Sequence, residues 1–408
     1  MKQQHCVIVG ASHAAAELCM RLRKEGWQGR ITLVGEEPYL PYNRPPLSKT
    51  FLAGHKDTSE LLIRHEGAYE KAQVDFFLGV KAVSVNRDKH SLLLGNDQQL
   101  EYDKLVLTTG ARVRKLDIAG ADLGNIFYLR NIHDANLIRP HIRQGQKAVI
   151  IGGGYIGLEC AAMLQSSGMQ VTVLERDQCI LNRVSAPEIS AFFTRIHQEE
   201  GINIQANAET VAFEGDGRVE AVLCQDGKRF NADLVIVGVG VIPNTELAAE
   251  AGLAVNNGIQ VNEFAETSDP DILAAGDCTY HFNQHYQRWM RLESIQNAVE
   301  QAEVAAATIC GRREAYDAIP WFWSDQFDLK LQIAGLSTGY DNLIVRGELQ
   351  QGRKVAVFYF AGEQLLAVDA VNSPQEFLFA KRAMAQHADL DRERLADADV
   401  PMRELLLN

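Results

Sequence analysis

Apolar residues in this chain gather in short, nearly unbroken runs separated by longer amphipathic stretches. Residues 6–9, 31–35, 105–110, 147–151, 171–175, 234–237 and 272–277 are such runs, rich in Val, Ile, Leu and Ala, with little alternation. A strand that is apolar on both faces belongs to a parallel sheet covered on both sides. Segments 14–24, 158–166 and 296–309 instead space their apolar residues as helices do, the last being stopped by Cys310-Gly311. Strand, helix and returning strand follow one another twice, over 6–35 and over 147–175, as two βαβ units. Between them, 38–46 is a Pro-rich, non-helical loop, while 208–227 and 229–240 form a hairpin-rich stretch. From Pro320 the pattern becomes strand-like alternation, as at 343–346 and 355–360, and a helical tail begins near Gln375.

Each βαβ unit carries a glycine-rich turn where its first strand meets its helix. In the second, Val149-Ile150-Ile151-Gly152-Gly153-Gly154-Tyr155-Ile156-Gly157-Leu158-Glu159, all three positions of G-x-G-x-x-G are glycine. Gly152 suits a tight turn, Gly154 lets backbone N–H groups approach a pyrophosphate, and Gly157 lets helix and strand pack closely. Glu175 ends the next strand, placed to accept hydrogen bonds from a ribose 2′-hydroxyl. That arrangement favours NADH over NADPH, although Arg176 and Arg183 leave a phosphate pocket open. Tyr155 and Ile156 within the loop, and Gly240 after the 234–237 strand, complete the candidate NAD site. The first unit, Val7-Ile8-Val9-Gly10-Ala11-Ser12-His13-Ala14-Ala15, departs from the pattern: Gly10 is kept, but Ser12 and Ala15 stand at the second and third positions. Glu36 supplies its ribose acid, and Thr109-Gly110 and Gly276-Asp277 each close a neighbouring strand. Two such sites suit a protein holding FAD and a nicotinamide nucleotide together. The fold class is therefore α/β: two Rossmann-like nucleotide-binding domains plus a small α+β C-terminal domain. An FAD-binding domain of 1–112 and 242–319 is interrupted by an NAD-binding domain of 113–241, and 320–408 follows as the third.

Composition narrows the partners. A formal charge of −13 is opposite to that of a nucleic-acid or anionic-membrane surface, though a local basic patch can still dock an acidic protein. No stretch approaches the roughly 20 apolar residues that span a bilayer, and the N-terminus shows no secretory segment, so a cytoplasmic protein is expected. The seven cysteines are scattered without C-x-x-C or metal-ligand spacing, as buried thiols of a reducing compartment would be. No metal site is expected.

These residues resemble the FAD-dependent ferredoxin and rubredoxin reductases of the putidaredoxin reductase type, over essentially the whole chain. The resemblance rests on Pro41-Tyr42-Asn43-Arg44-Pro45-Pro46-Leu47-Ser48-Lys49, Gly152 to Glu159, Ala275-Gly276-Asp277-Cys278 and, most specifically, Pro320-Trp321-Phe322-Trp323-Ser324-Asp325-Gln326. It implies a glutathione-reductase-like fold that passes electrons from NADH through FAD, singly, to a 2Fe–2S ferredoxin or a rubredoxin serving an oxygenase. It further implies that Lys49 and Glu159 pair near the reactive flavin face as the catalytic residues. Asp277 would hold the ribityl–pyrophosphate region, with Arg44 and Arg130 as flavin-domain contacts. Ala14 and Glu36 would lie on the adenosine side, Ala82 and Ile295 would give backbone contacts, and Trp323 would cover the flavin edge. A monomer or weak dimer is implied.

Blander roles remain open for several of these residues. Lys49 can be a solvated lysine after a proline loop. Glu159, two residues after Gly157 in the first helical turn, can simply complement the macrodipole. Trp321 and Trp323 share one strand face and can be core packing. The basic groups Arg112-Arg114-Lys115, Arg312-Arg313 and Lys381-Arg382 can be docking or merely solvated surface. Residues 36–72 contain no cysteine, so neither a redox disulfide nor a single redox cysteine lies in that region to take electrons. Two further readings stay open: a flavin NADH oxidase, and an NADH-responsive signalling flavoprotein similar to apoptosis-inducing factor.

Overall fold

The computed structural model describes residues 3–407. The chain divides into two compact units, the first running up to Asn43 and then through Thr58–Arg112 and Val241–Pro320. The second comprises Arg44–Asp57, Val113–Gly240 and the chain from Trp321 onward.

In the first unit a five-stranded parallel sheet runs in the order Ile272–Ala274, Lys104–Leu107, His5–Val9, Arg30–Gly35, Val74–Leu78. Four of its strands are the double-sided apolar runs of the sequence; the edge strand Val74–Leu78, only partly buried, is not among them. Ile8, Leu33 and Val106 face a core completed by Leu18 and Leu22 of the His13–Lys24 helix and Ala302, Ala305 and Ala306 of the Ile295–Ile309 helix. Val7, Val9, Leu105 and Leu107 face the other way, onto Leu92, Leu94, Ala248 and Ile259. Leu92 and Leu94 belong to a three-stranded antiparallel sheet (Ala82–Asn86, Ser91–Leu94, Gln99–Glu101).

The second unit repeats the parallel design. Its sheet order is Asn203–Gln205, Gln170–Leu174, Lys147–Ile151, Leu234–Val237, Ile126–Tyr128, all parallel. The hairpin-rich stretch is an antiparallel sheet of Thr210–Glu214, Ala221–Cys224 and Arg229–Asn231. Beyond Pro320 lies a five-stranded antiparallel sheet, Trp321–Gln326, Leu329–Gly335, Gln364–Val371, Val355–Ala361, Asn342–Gly347, with the Pro374–Ala385 helix packed on it.

Two local expectations change. The Pro-rich segment is not wholly non-helical: Pro45–Ser48 closes a 3₁₀ turn with Pro at its start, where no donor is missed. The helix expected from residue 158 begins at Tyr155, directly after Gly154, because the glycine turn itself forms its N-terminus.

Candidate functional site

In the second unit the glycines of the Gly152 loop answer to separate steric demands. Gly152 adopts φ +106°, and a Cβ there would lie 2.4 Å from the Gly238 carbonyl oxygen. A Cβ on Gly157 would lie 2.1 Å from the Gly152 carbonyl oxygen, whereas one on Gly154 would meet nothing within 4 Å. Turn, helix packing and an open approach to free N–H groups are the demands of a bound pyrophosphate. Sequence reasoning missed Gly153, where a Cβ would come within 2.6 Å of Ile180. Its N–H donates to Glu175 Oε2 at 2.6 Å, and the Asp177 N–H donates to Glu175 Oε1 at 2.8 Å. A carboxylate has about four acceptor directions, so Glu175 is oriented by the loop and keeps capacity for ribose hydroxyls. Ile156 is exposed at the helix start, Tyr155 packs on Phe322 with ring centroids 4.8 Å apart, and Gly240 holds φ +99° beside Arg183. Burial pushes the Tyr155 phenol well above its ordinary pKa, so it stays protonated.

Glu159 sits one turn deeper. With the helix starting at Tyr155 it is the fifth helical residue, and no acid occupies the first turn. The macrodipole reading therefore falls, since that effect fades beyond the first turn. Its carboxylate is only 4% exposed. Lys49 Nζ lies 2.6 Å from Oε2, the Ser48 hydroxyl donates to the same oxygen at 2.6 Å, and the Ser324 hydroxyl donates to Oε1 at 2.7 Å. A buried carboxylate is tolerated when a counter-charge and donors satisfy it. The solvated-lysine reading of Lys49 falls with the same observation, although 21% of its side chain remains exposed. Ser48 and Ser324 were present in the quoted motifs but had no assigned role; their signal, a hydroxyl one side-chain length from a buried acid, exists only in three dimensions.

The segment bearing Lys49 is tied down within the same unit. Arg44 Nη1 donates to the Arg130 carbonyl at 2.8 Å, bringing together two residues expected near flavin. Arg139 donates to the Phe51 carbonyl through Nη2 (2.6 Å) and Nε (3.0 Å), its guanidinium 4.5 Å above the Phe51 ring. On the Trp321–Gln326 strand, half-buried Trp323 stacks 5.6 Å from Trp321, while Ser324 and Gln326 point to the opposite, buried face.

In the first unit Gly10 has φ +109°, and a Cβ would fall 2.1 Å from the Thr108 carbonyl oxygen. Ser12 is the N-cap of the His13–Lys24 helix without capping it through its side chain, and Ala14 and Ala15 are buried in the first turn. Glu36 is exposed just past the second strand, and Ala82 opens the antiparallel sheet. Thr109 is locked to Asn244 by a reciprocal pair, Oγ1–H to the Asn244 carbonyl (2.6 Å) and Asn244 Nδ2 to the Thr109 carbonyl (2.8 Å), beside Gly110 with φ +63°. Gly276, at φ +88°, brings the two helices together: a Cβ there would contact Ala14 and Ala298 at 3.6 and 3.5 Å. Buried Gln301 Oε1 accepts from the Gly276 N–H (2.8 Å) and the Thr279 hydroxyl (2.9 Å), so it fixes the turn that presents Asp277. Ile295 is the first residue of its helix, whose N-cap Ser294 accepts from the Asn297 N–H at 3.1 Å. The tight turn at Gly10, small buried residues behind it and a helix N-terminus free of acids fit the pyrophosphate of FAD. Asn244 and Gln301 were not foreseen, since neither belongs to a motif.

All seven cysteines are free thiols; burial pushes Cys19 and Cys160 up to about 12 and Cys6 higher still. These three are therefore thiols, not thiolates, at neutral pH. Among the described residues no group of three or more His, Cys, Asp or Glu is placed to hold a metal, and no helix is long and apolar enough to cross a membrane.

Comparison with known proteins agrees with this geometry. Residues 4–302 match the pyridine nucleotide-disulphide oxidoreductase family, and residues 321–406 match the reductase C-terminal family. Putidaredoxin reductase of Pseudomonas putida is 44% identical over 98% of this chain and 96% of its own length. Rhodocoxin reductase of Rhodococcus erythropolis is 38% identical, over 97% of this chain and 93% of its own. The crystal structure of a covalent putidaredoxin reductase–putidaredoxin complex superposes with a TM-score of 0.95 at 44% identity, covering 98% of this chain and 97% of that one. The chain belongs to the pyridine nucleotide-disulphide oxidoreductase family, in its ferredoxin/rubredoxin reductase branch.

Proposed function

We propose that this protein is an NADH-dependent flavoprotein reductase that passes electrons through FAD, one at a time, to a small iron–sulfur protein serving an oxygenase. The observation that carries the reading is the Lys49–Glu159 pair at 2.6 Å, one helical turn behind a complete glycine loop. FAD, when bound, accepts the two electrons of a hydride and releases them singly. The Gly10 loop, Ser12, Ala14, Ala15, Glu36, Ala82, Thr109, Gly110, Asp277 and Ile295 are its proposed holders. Arg44, Lys49, Arg130 and Trp323 are its further proposed contacts. Gly152, Gly154, Tyr155, Ile156, Gly157, Glu159, Glu175 and Gly240 are proposed to hold NADH. Because the Glu175 carboxylate, held by the glycine loop, opposes a 2′-phosphate, NADH is the preferred nucleotide.

In this reading Lys49 offers a fixed cation where negative charge grows during hydride transfer, and Glu159 fixes the cation. No proton-abstracting dyad or nucleophile is required. The free, unpaired cysteines support an acceptor outside the chain, and the likeness to a reductase solved with putidaredoxin supports a 2Fe–2S ferredoxin as that acceptor. The division into an FAD domain of 1–112 and 242–319, an NAD domain of 113–241 and a third domain of 320–408 is part of this proposal. Cytoplasmic location is proposed from the unpaired thiols.

Anaerobic titration with NADH followed by stoichiometric oxidised 2Fe–2S ferredoxin tests the reading. The flavin absorbance is expected to bleach with NADH and recover on adding ferredoxin. Failure to bleach with FAD bound would sink it, and bleaching without recovery would remove the ferredoxin step.

A further inference from the structure

Glu159 does not end its hydrogen bonding at Ser324. The Ser324 hydroxyl lies 3.1 Å from Gln326 Nε2, and Gln326 Oε1 lies 2.8 Å from His197 Nε2. Ser324, Gln326 and His197 are each 1% exposed or less. Ser324 and Gln326 are alternate residues of one strand, so both reach the same face. His197 comes from the last turn of the Pro187–Glu199 helix, and its ring meets Phe327 edge-on at 5.3 Å.

The direction of this chain follows from charge. An ionised carboxylate only accepts, so the single hydroxyl proton of Ser324 must point at Glu159 Oε1. Ser324 Oγ must then accept from Gln326, which turns the Gln326 amide nitrogen to Ser324 and its oxygen to His197. That oxygen requires a proton on His197 Nε2. The neutral ring then carries no proton on Nδ1, and Nδ1 meets no hydrogen-bond partner among the described residues. Burial lowers the His197 pKa, which keeps the ring neutral as this arrangement demands.

We infer that His197 is a positioning residue for Glu159, acting through a one-way chain His197 Nε2–H to Gln326 to Ser324 to the carboxylate. The chain fixes the Ser324 proton on Oε1 and so leaves Oε2 to Lys49 and Ser48. One acid thereby dictates the tautomer of a histidine three hydrogen bonds away, and the histidine in turn holds the acid's orientation. The functional part of this inference rests on the proposed role of the Lys49–Glu159 pair; the tautomer part does not.

The test uses the FAD-loaded full-length protein with ¹⁵N-labelled histidine, the His197 signals being identified by their loss in His197→Gln. Nitrogen NMR is expected to show Nε2 protonated and Nδ1 bare. Glu159→Gln gives Ser324 a donor in place of an acceptor, lets the chain reverse, and is expected to move the His197 ring toward the Nδ1–H tautomer. Ser324→Ala, which cuts the chain without altering the acid, is expected to release the tautomer as well. Gln326→Leu is expected to slow flavin reduction by NADH about tenfold in rapid mixing, with NADH affinity unchanged, as a small misorientation of a positioned group does. A His197 ring already Nδ1-protonated, or one whose tautomer ignores both Glu159→Gln and Ser324→Ala, would overturn the inference. So would Gln326→Leu reduced by NADH at the wild-type rate while Glu159→Gln is slowed. If Glu159→Gln shifts the tautomer yet accepts electrons from NADH at the wild-type rate, the chain stands and the proposed function of the pair fails.

Discussion

Gly153 carries a constraint that its neighbours do not. Gly152 and Gly157 are excluded from change by backbone oxygens, but a methyl on Gly153 would meet the branched side chain of Ile180 at 2.6 Å and press on Glu175 Oε2 at 3.1 Å. Overpacking of this kind costs about 1–3 kcal/mol, and here the strain falls on the Gly153 N–H bond that orients the Glu175 carboxylate. Gly153→Ala is expected to weaken NADH binding about tenfold, roughly 1.4 kcal/mol, measured by fluorescence titration of the nucleotide. Unchanged affinity would mean that Glu175 owes its position to Asp177 alone. At the same scale, the buried carboxylate of Glu159 has its desolvation offset by three donors, Lys49, Ser48 and Ser324.

Among the elements, one helix does more than cover its sheet. The Ile295–Ile309 helix sends Gln301 back to the Gly276 N–H and the Thr279 hydroxyl. Gln301→Leu keeps the volume but leaves that buried N–H without its acceptor, a loss of about 1–3 kcal/mol. The variant is expected to shed FAD more readily, seen as a lower ratio of flavin to protein absorbance after gel filtration; full retention would reduce Gln301 to packing. The central strands of both parallel sheets, both glycine turns and the Ile295–Ile309 helix were legible in the sequence because each is dictated locally, by unbroken apolar runs or by a fixed spacing of small residues, whereas the outer strands Val74–Leu78, Ile126–Tyr128 and Asn203–Gln205 were not read. The start of the helix at Tyr155 was legible only in part, since glycines read as loop while here they shape the N-terminus. Pro45–Ser48 was misjudged for a related reason, prolines being able to open a short helix as well as prevent a long one. Ser48, Ser324, Gln326, His197, Asn244 and Gln301 could not be read at all. Their roles arise from contacts across 22 to 165 positions of chain, and no local pattern encodes such a meeting.

At the scale of the molecule, two buried titratable groups, one in each unit, respond to pH in opposite senses. In the first unit burial lowers His281 to about 4, whereas an unfolded histidine has its ordinary pKa near 6.5. Between those values only the unfolded chain binds the proton, so this contribution to stability grows as pH rises from 4 to 6.5. In the second unit Asp369, accepting from the Tyr359 hydroxyl at 2.7 Å, is pushed up to about 6 by burial. Here the folded state binds the proton more tightly, and stability is lost as pH rises from about 3.8 to 6. Thermal melts followed across that range should give a flatter acid limb for His281→Gln and a steeper rise with pH for Asp369→Asn. Parallel curves for both variants and the wild type would deny these groups any part. The hydrogen-bonded chain behind Glu159 has a consequence of another kind for a protein that moves charge. A proton can hop along such a chain only if another is delivered at its far end, and that end is an imidazole nitrogen facing no donor among the described residues. The chain is thus an insulator: it transmits orientation to the Lys49–Glu159 pair and passes no protons away from it.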